Sequence, residues 1–513
     1  MHFKKPYQYW MLAAVSGVLL VFSFPSFNLF PLAWFSLVPL LTSLRFAPNW
    51  KSAFWRGYLC GAIFFLGLLY WIVLLYPFAS IFLTLPAYLL LVGYLSLYPG
   101  VFAGLLFASP WQTGLLFVFS AAAIWTGLEW VSSWMLTGFP WGSIGYTQWK
   151  NLPAIQIASV TGVHGVTFLV LLCNATIAEV IHQYQHRRLR LSWTILPVGL
   201  AVVCLGYGVF VLPKSSVDAS ETAKIALVPG NVNQLEKWDR CYLPQIFGRY
   251  ISLIESADAD NPDVIILPET AIPGAIFSSQ NGYRQQLEKL LRERQIYLLT
   301  GIPHYTPDGK AYNSVFLIAP DGAQLGSYAK MHLVPFGEYV PINERLPNFV
   351  QLPSGFEPGK SLSLFPVPGA ENAQMGVAIC FESVFPNLFR KFVKEGADVM
   401  GILTNDAWFV GTSAPEQHLM MAPFRAVENR VSVFRCANGG LSCIIDKFGR
   451  VVSPVISPDD TDSILVEQIS LKGDNRTLYT RYGDWFPILC FIWAALVVCG
   501  RLVSKTRSKA IVL

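Results

Sequence analysis

Repeated apolar runs, each long enough to cross a lipid bilayer, constrain this chain more than any other feature. They lie at about 9–25, 28–44, 57–77, 81–107, 111–134, 154–182, 190–212 and 485–503, and a transmembrane helix needs roughly 20 such residues. Inside a bilayer every backbone N–H and C=O must find a partner, which leaves the α-helix as the form these runs can take. The expected architecture is a polytopic α-helical membrane domain of about eight transmembrane helices, about seven of them before residue 213. Pro25, Pro86 and Pro99 mark places where turns or kinks would merge or split segments. Lys4 and Lys5 precede the first run, but no small-residue cleavage site follows, so the run reads as an uncleaved first helix.

Basic residues orient these helices, because short loops rich in Lys and Arg stay cytoplasmic. Lys4 and Lys5, then Arg45, Lys51 and Arg56, then His186-Arg187-Arg188-Leu189-Arg190 all fall on one side of the membrane, as do Arg501, Lys505, Arg507 and Lys509. The opposite loops carry little more than Lys150. Both termini are therefore expected in the cytoplasm. The domains expected are 1–212, the N-terminal helices; 213–484, an extracytoplasmic domain; and 485–513, the last helix with its basic tail. Glu129, His164 and Glu179 lie in or near predicted helices, where helix-end or packing roles are expected.

Residues 213–484 change character. Strand-like runs appear at Lys224–Val228, Val264–Leu267, Tyr297–Thr300, Ser314–Ile318, Met375–Ile379, Val399–Leu403, Val431–Cys436 and Leu441–Ile445. Helical patterns lie between several of them: at 283–294, Leu287, Leu290 and Leu291 share one face and charges occupy the rest. Strands alternating with helices predict an α/β domain inserted between membrane helices. Overall, 53% of the 513 residues are hydrophobic and 13% charged, and the formal net charge is only +5. A nucleic-acid partner therefore gets no support from charge. The nine cysteines show neither a CxxC pair nor zinc-ligand spacing, and HExxH and P-loop patterns are absent, so no metal, disulfide framework or nucleotide cofactor is expected.

Three stretches place reactive side chains just after, or between, predicted strands, where scaffolded sites usually lie. Val264-Ile265-Ile266-Leu267-Pro268-Glu269 ends in a carboxylate, and Gly376-Val377-Ala378-Ile379-Cys380 delivers a thiol. Between them, Tyr328-Ala329-Lys330-Met331-His332-Leu333-Val334-Pro335-Phe336-Gly337-Glu338 holds a cation and a second carboxylate. Singly, each has an ordinary structural explanation. Their joint order carries the information.

Glu, then Lys, then Cys in these settings resembles the nitrilase superfamily of carbon–nitrogen hydrolases, whose fold is an αββα sandwich. The resemblance extends to Leu403-Thr404-Asn405-Asp406-Ala407-Trp408-Phe409, to Arg425-Ala426-Val427-Glu428-Asn429-Arg430 and to Ala437-Asn438-Gly439-Gly440. It implies Glu269 as general base, Lys330 as the stabiliser of a developing oxyanion and Cys380 as nucleophile. The chemistry suits these types. A thiol with pKa of roughly 8.5 is mostly protonated near neutrality, so a base must take its proton and a cation must favour the thiolate. A fixed ammonium then lowers the barrier to the anionic tetrahedral intermediate.

Within that superfamily the chain resembles the membrane-embedded apolipoprotein N-acyltransferases. His332-Leu333-Val334-Pro335-Phe336-Gly337-Glu338-Tyr339-Val340-Pro341 is similar to that branch's loop after the catalytic Lys. Thr137-Gly138-Phe139-Pro140-Trp141, with Gly145-Tyr146-Thr147-Gln148 behind it, is similar to a signature of its membrane part. The resemblance implies transfer of an acyl chain from a phospholipid, through a Cys380 thioester, to the α-amino group of the diacylglyceryl-cysteine of an apolipoprotein, at a bacterial inner membrane with the catalytic domain in the periplasm, by a monomer. It further implies that Glu338 is an essential carboxylate, that Phe381 and Glu382 support the thiol, and that Trp238 sits on a lid near the acyl chain. Some members carry Tyr where this chain has Phe381. Two rivals remain at this point: a membrane-tethered amidase in which water resolves the thioester, and a transporter or structural membrane protein with an inert domain.

Overall fold

The computed structural model describes residues 5–187, 191–213, 221–272, 282–339, 355–471 and 477–510. Lys4, Arg188, Leu189, Arg190, Val340 and Pro341 lie outside the described residues, as do the side chains of Arg501, Lys505, Arg507 and Lys509. The chain forms two units that each pack mainly within themselves: residues 1–213 with 482–513, and residues 214–481.

The first unit is helical. Among the described residues, Ile81–Ala108, Gly114–Ser132, Val163–Gln185 and Ser192–Val211 are long and apolar enough to cross a membrane. Tyr7–Ser23, Phe30–Leu44, Leu152–Thr161 and Trp485–Val497 are apolar but shorter. Some apolar runs differ from single helices; that at 57–77 breaks after Leu68 into the 3-10 segment Tyr70–Leu75. The run at 28–44 is a short 3-10 segment, Phe30–Trp34, followed by a helix, Val38–Leu44, each with a proline in its first turn, because a residue lacking N–H starts a helix more readily than it continues one. The run at 154–182 is interrupted at Gly162, whose φ of +67° ends the short helix Ala158–Thr161 before Val163–Gln185 begins. Pro86 and Pro99, by contrast, lie inside one continuous helix. That helix meets Trp50–Leu68 at Gly57 and Gly61, where an added Cβ would fall 2.2 Å from the Pro99 carbonyl oxygen and 2.9 Å from the Pro99 ring. Small residues four apart let two membrane helices approach this closely.

Ionisable groups in this unit have packing partners. The wholly buried Glu179 meets Arg45 Nη2 at 2.5 Å and accepts from Gly114 N–H and Gln183 Nε2. Glu129 accepts from Thr167 Oγ1 at 2.6 Å and from Ile144 N–H at 3.0 Å, with His164 Nδ1 3.7 Å away. It thereby anchors the stretch that follows Thr137-Gly138-Phe139-Pro140-Trp141.

The second unit is an α/β sandwich. Its strands in chain order are β1 (Thr222–Leu227), β2 (Val264–Ile266), β3 (Leu298–Tyr305), β4 (Ala311–Ile318), β5 (Gln324–Ala329), β6 (Leu364–Pro366), β7 (Gln374–Ile379), β8 (Val399–Asn405), β9 (Ser432–Asn438), β10 (Cys443–Ile445) and β11 (Leu465–Ser470). They form two sheets, ordered β11-β1-β2-β3-β4-β5 and β10-β9-β8-β7-β6. Pairing is parallel from β1 to β3 and from β7 to β9, and antiparallel toward the edges. Strands in the middle of a covered sheet are buried on both faces, which explains continuous apolar runs such as Val264-Ile265-Ile266. Helices Leu243–Asp258 and Gly282–Arg294 lay Phe247, Tyr250, Ile254, Leu287 and Leu291 into one core with Ala226, Ile265 and Leu298 of the first sheet. Helices Pro386–Glu395 and Ala422–Asn429 pack on the second sheet, against β7 and β9. The two sheets meet where Cys436 Sγ approaches the Ile266 carbonyl at 3.4 Å and Gly326 packs on Phe365.

Candidate active site

The three reactive residues all follow strand ends. Glu269 lies three residues beyond β2, Lys330 directly follows β5 and Cys380 directly follows β7. Glu269 is held by a close approach: at Gly301 in β3, an added Cβ would lie 2.7 Å from Glu269 Cα and from the Pro268 carbonyl oxygen. Lys330 is fixed through its backbone, its N–H donating to the Asn313 carbonyl at 2.8 Å.

These side chains converge. Lys330 Nζ lies 3.5 Å from Glu269 Oε1 and 2.8 Å from Glu338 Oε2. Asn313 Nδ2 donates to both Glu269 Oε1, at 2.7 Å, and Glu338 Oε1, at 2.8 Å. Glu269 Oε2 accepts from the Asn405 N–H at 2.8 Å, and Glu338 Oε2 from the Val334 N–H at 2.8 Å. Burial alone would lower the Lys330 ammonium's pKa. The charges of Glu338 and Glu269 outweigh it and hold the pKa above the ordinary lysine value. Their charges favour the ammonium form of Lys330, which suits it to stabilising negative charge.

Cys380 has a left-handed backbone, φ +51°, which costs a non-glycine residue roughly 1–2 kcal/mol. The chain turns there from β7 into the 3-10 segment Cys380–Val384. The residue keeps part of its surface accessible, yet burial pushes the thiol well above the usual range. Glu269 adds to that shift, and Lys330 opposes it without reversing it. Desolvation outweighs the charge of Lys330, which by itself favours the thiolate.

Glu382 ties the cation's loop to the thiol's turn. Its Oε1 accepts from Tyr328 Oη at 2.8 Å and from the N–H groups of Met331 and His332 at 2.7 and 3.0 Å; its Oε2 accepts from the Ile379 N–H at 2.8 Å. Burial raises its pKa, but four donors aimed at two oxygens are the surroundings of a carboxylate. His332, packed 3.8 Å from the Phe385 ring centre, has its pKa pushed down to about 4 by burial and by the nearby Lys330 charge. Phe381 is buried edge-on against Phe385 at 5.1 Å. Trp238 is about half exposed at the end of the short helix Gln234–Lys237.

Some residues around the site lacked a sequence signal of their own, while Asn405, Asp406 and Asn438 lie in stretches that carry the resemblance. Asn313 is a single asparagine within β4, and only folding brings it between two carboxylates. A chain of side-chain amides runs beneath Glu269. Asn438 is oriented by the Val232 N–H and C=O, its Nδ2 donates to Asn405 Oδ1 at 2.7 Å, and Asn405 Nδ2 donates to Gln234 Oε1 at 2.8 Å. Lys237 is wholly buried, with Nζ 3.3 Å from the Glu269 carbonyl oxygen. Asp406 and His418 lie behind Cys380. Asp406 was within reach of the sequence, in the stretch after Thr404; His418 had nothing to mark it.

Comparison with known proteins agrees with both units. Residues 16–176 match the model of the apolipoprotein N-acyltransferase N-terminal domain, and residues 224–474 that of carbon-nitrogen hydrolase. An apolipoprotein N-acyltransferase of Geobacter metallireducens is 36% identical over 506 residues, covering 96% of this chain and 95% of the relative. That of Allorhizobium ampelinum is 34% identical, covering 97% of each, and that of Haemophilus influenzae is 31% identical, covering 94% of this chain and 92% of the relative. Among solved structures, Nit3 of Saccharomyces cerevisiae, a member of branch 10 of the nitrilase superfamily, is 21% identical with a TM-score of 0.38, covering 49% of this chain and 91% of that one. Matches of at least 30% identity over nearly the whole of both chains, together with family models for both units, place this protein in the apolipoprotein N-acyltransferase family.

Proposed function

We propose that this acyltransferase moves an acyl chain from a phospholipid to the α-amino group of the N-terminal diacylglyceryl-cysteine of apolipoproteins, through a thioester on Cys380. The observation that carries the reading is the convergence of Glu269 and Glu338 on the buried ammonium of Lys330, with Cys380 presented on a left-handed turn.

In the first half-reaction Glu269 takes the thiol proton as Cys380 Sγ bonds to the ester carbonyl carbon. General-base assistance is needed because burial pushes the thiol's pKa up. Lys330 stabilises the oxyanion. The ester C–O bond then breaks, and Glu269 returns the proton to the departing alkoxide, releasing a lysophospholipid. In the second half the amine nitrogen attacks the thioester carbon, the C–S bond breaks, and the amine's proton passes through Glu269 to the sulfur, leaving an amide. Phe381 and Glu382 support the turn that carries the thiol, and Trp238, exposed and apolar, lies on a lid toward the acyl chain.

Residues 213–484 are the catalytic domain, on the periplasmic side of a bacterial inner membrane, with both termini cytoplasmic, and the enzyme works as a monomer. The apolar helices support this reading: donor and acceptor chains stay in lipid during transfer, avoiding extraction at about 0.8 kcal/mol per CH₂.

Intact-protein mass spectrometry after incubation with phospholipid alone, comparing native protein with Cys380→Ala, tests the first half-reaction. A hydroxylamine-sensitive acyl adduct confined to the native protein is expected; no adduct on folded protein would overturn the mechanism. Adding a diacylglyceryl lipopeptide should convert adduct to acylated peptide, whereas free fatty acid alone would mark a hydrolase.

A further inference from the structure

Behind the candidate nucleophile lies a fully enclosed polar chain that the acyl-transfer scheme does not use. Asp406, Arg435, His418 and Ser383 are each at most 5% exposed. Asp406 Oδ2 meets Arg435 Nη2 at 2.5 Å, and its Oδ1 lies 3.0 Å from His418 Nδ1 and accepts from Thr404 Oγ1 at 2.9 Å. Burial would raise the Asp406 pKa, but Arg435 and His418 outweigh it and hold the group as a carboxylate. On the other side of the ring, His418 Nε2 lies 2.8 Å from Ser383 Oγ and 3.2 Å from the Cys380 carbonyl oxygen.

An Asp–His–Ser alignment resembles a nucleophilic triad, but the hydrogen bonds point elsewhere. Ser383 Oγ donates its single proton to the Cys380 carbonyl at 2.8 Å, so at the His418 contact it accepts and Nε2 carries the proton. A serine 2% exposed with its proton so engaged cannot attack a substrate. Both donors instead converge on one acceptor, the carbonyl of the residue whose backbone is strained.

We propose that Asp406, His418 and Ser383 form a positioning relay for the nucleophile, with His418 setting the orientation of the Cys380 peptide group and thereby the direction of its thiol. The proposal rests on the reading of Cys380 as nucleophile. Asp406 and Arg435 fix the imidazole plane; Nε2–H and the Ser383 hydroxyl fix the carbonyl; that carbonyl sets ψ of Cys380 and hence where Sγ stands relative to Glu269 and Lys330. Glu382 holds the Ala378–Ile379 peptide, one further back, at the Ile379 N–H, so the chain is tied on both sides of the nucleophile.

The test uses the full chain in detergent, with phospholipid as substrate and single-turnover acyl-adduct formation read by intact mass. His418→Ala is expected to slow adduct formation about 30- to 100-fold, the scale of a displacement near 1 Å at a reacting atom, while KM for phospholipid stays within about 3-fold. His418→Gln, whose amide N–H replaces Nε2–H, should recover most of the lost rate. The rate at which iodoacetamide alkylates Cys380 should follow the same order without any lipid. If His418→Ala fails to fold, Ser383→Ala removes one donor with little change in volume and should slow the adduct about 5-fold or more. An adduct formed at the native rate in His418→Ala or in Ser383→Ala, or a glutamine variant no better than alanine, would overturn the relay alone. An adduct in native protein on a residue other than Cys380 would overturn the reading of the site, and the relay with it.

Discussion

Glu338 holds Lys330 with both of its carboxylate oxygens, at 2.9 and 2.8 Å from Nζ, whereas Glu269 stands at 3.5 Å from the same atom. The ammonium is therefore committed first to Glu338. Glu269 keeps its own hydrogen bonds, to Asn313 and the Asn405 N–H, and a looser hold on the cation. A general base gripped tightly by a buried ammonium would be a poor proton acceptor, so the unequal spacing suits a base on one side and a counter-ion on the other.

Glu338→Gln should consequently abolish most activity without unfolding the protein. With its counter-ion neutral, Lys330 would turn to Glu269 and occupy the oxygen that is to accept the thiol proton. We expect acyl-adduct formation to fall by about 100-fold, the usual scale of lost general-base catalysis, with the melting temperature little changed. Glu338→Asp should fail similarly, because the shorter side chain cannot reach Lys330, Asn313 and the Val334 N–H together. Adduct formation within 3-fold of native in the glutamine variant would show that Glu338 serves only as packing.

Glu382 makes the opposite prediction, a loss of stability alongside activity. Glu382→Gln turns an NH₂ toward donors that now point at carboxylate oxygens, and buried donors left without acceptors cost about 1–3 kcal/mol each. Tyr328→Phe removes only one of the four bonds and should cost about 1 kcal/mol. Thermal unfolding of the detergent-solubilised protein should rank native, Tyr328→Phe and Glu382→Gln in descending order. Equal melting temperatures for all three would remove Glu382 from its bridging role.

What the sequence made legible follows the physics of burial. β2, β7 and β8 lie inside covered sheets and read as unbroken apolar runs, and Glu269 and Cys380 stood out because they follow such runs. β5, β6 and β11 escaped notice, and all three are edge strands. Half-exposed edges such as Gln324–Ala329 and Leu465–Ser470 mix polar and apolar residues without a clear period. Glu269, Lys330, Cys380 and Glu338 sit in recognisable stretches. Asn313 and His418 do not, since their importance comes from contacts with residues far away in the chain, Glu269 and Cys380, which no local pattern encodes. In the helical unit, run length overstated continuity at Pro31, Pro39 and Gly162, where local backbone chemistry broke helices that hydropathy had joined.

Lys237 ties stability to pH. Burial pushes its pKa from 10.5 down to about 7, against the opposing charge of Glu269. Between those values the unfolded chain holds a proton that the folded chain lacks, so stability rises with pH across that window. Below about pH 7 both states are protonated, and the full penalty of burying the cation applies. Lys237→Met removes the penalty, so this variant should melt well above the native protein at pH 6.5, with the gap closing by pH 9.5. A gap that widens with rising pH would refute the assignment.

The site also depends on one absent methyl group. In β3, Gly301 lies so close to the base loop that an alanine Cβ would fall 2.7 Å from Glu269 Cα, 2.7 Å from the Pro268 carbonyl oxygen and 2.8 Å from the Thr270 nitrogen. Every one of these is backbone, and Thr270 already has a left-handed φ of +46°, so the loop has little room to yield except by moving. The Ala271 N–H donates to the Gly301 carbonyl at 3.0 Å and the Gly301 N–H to the Pro268 carbonyl at 3.2 Å. A shift would therefore strain the bonds that place Glu269 against Asn313 and Asn405. Gly301→Ala should cost about 1–3 kcal/mol through overpacking. It should also lower the rate of acyl-adduct formation more than that instability explains, because the displaced residue is the proposed base. The check is adduct formation per folded molecule at a temperature well below the variant's melting point: a native rate there would mean that Glu269 tolerates displacement, and that its position is set by Asn313 and Asn405 rather than by the strand beneath it.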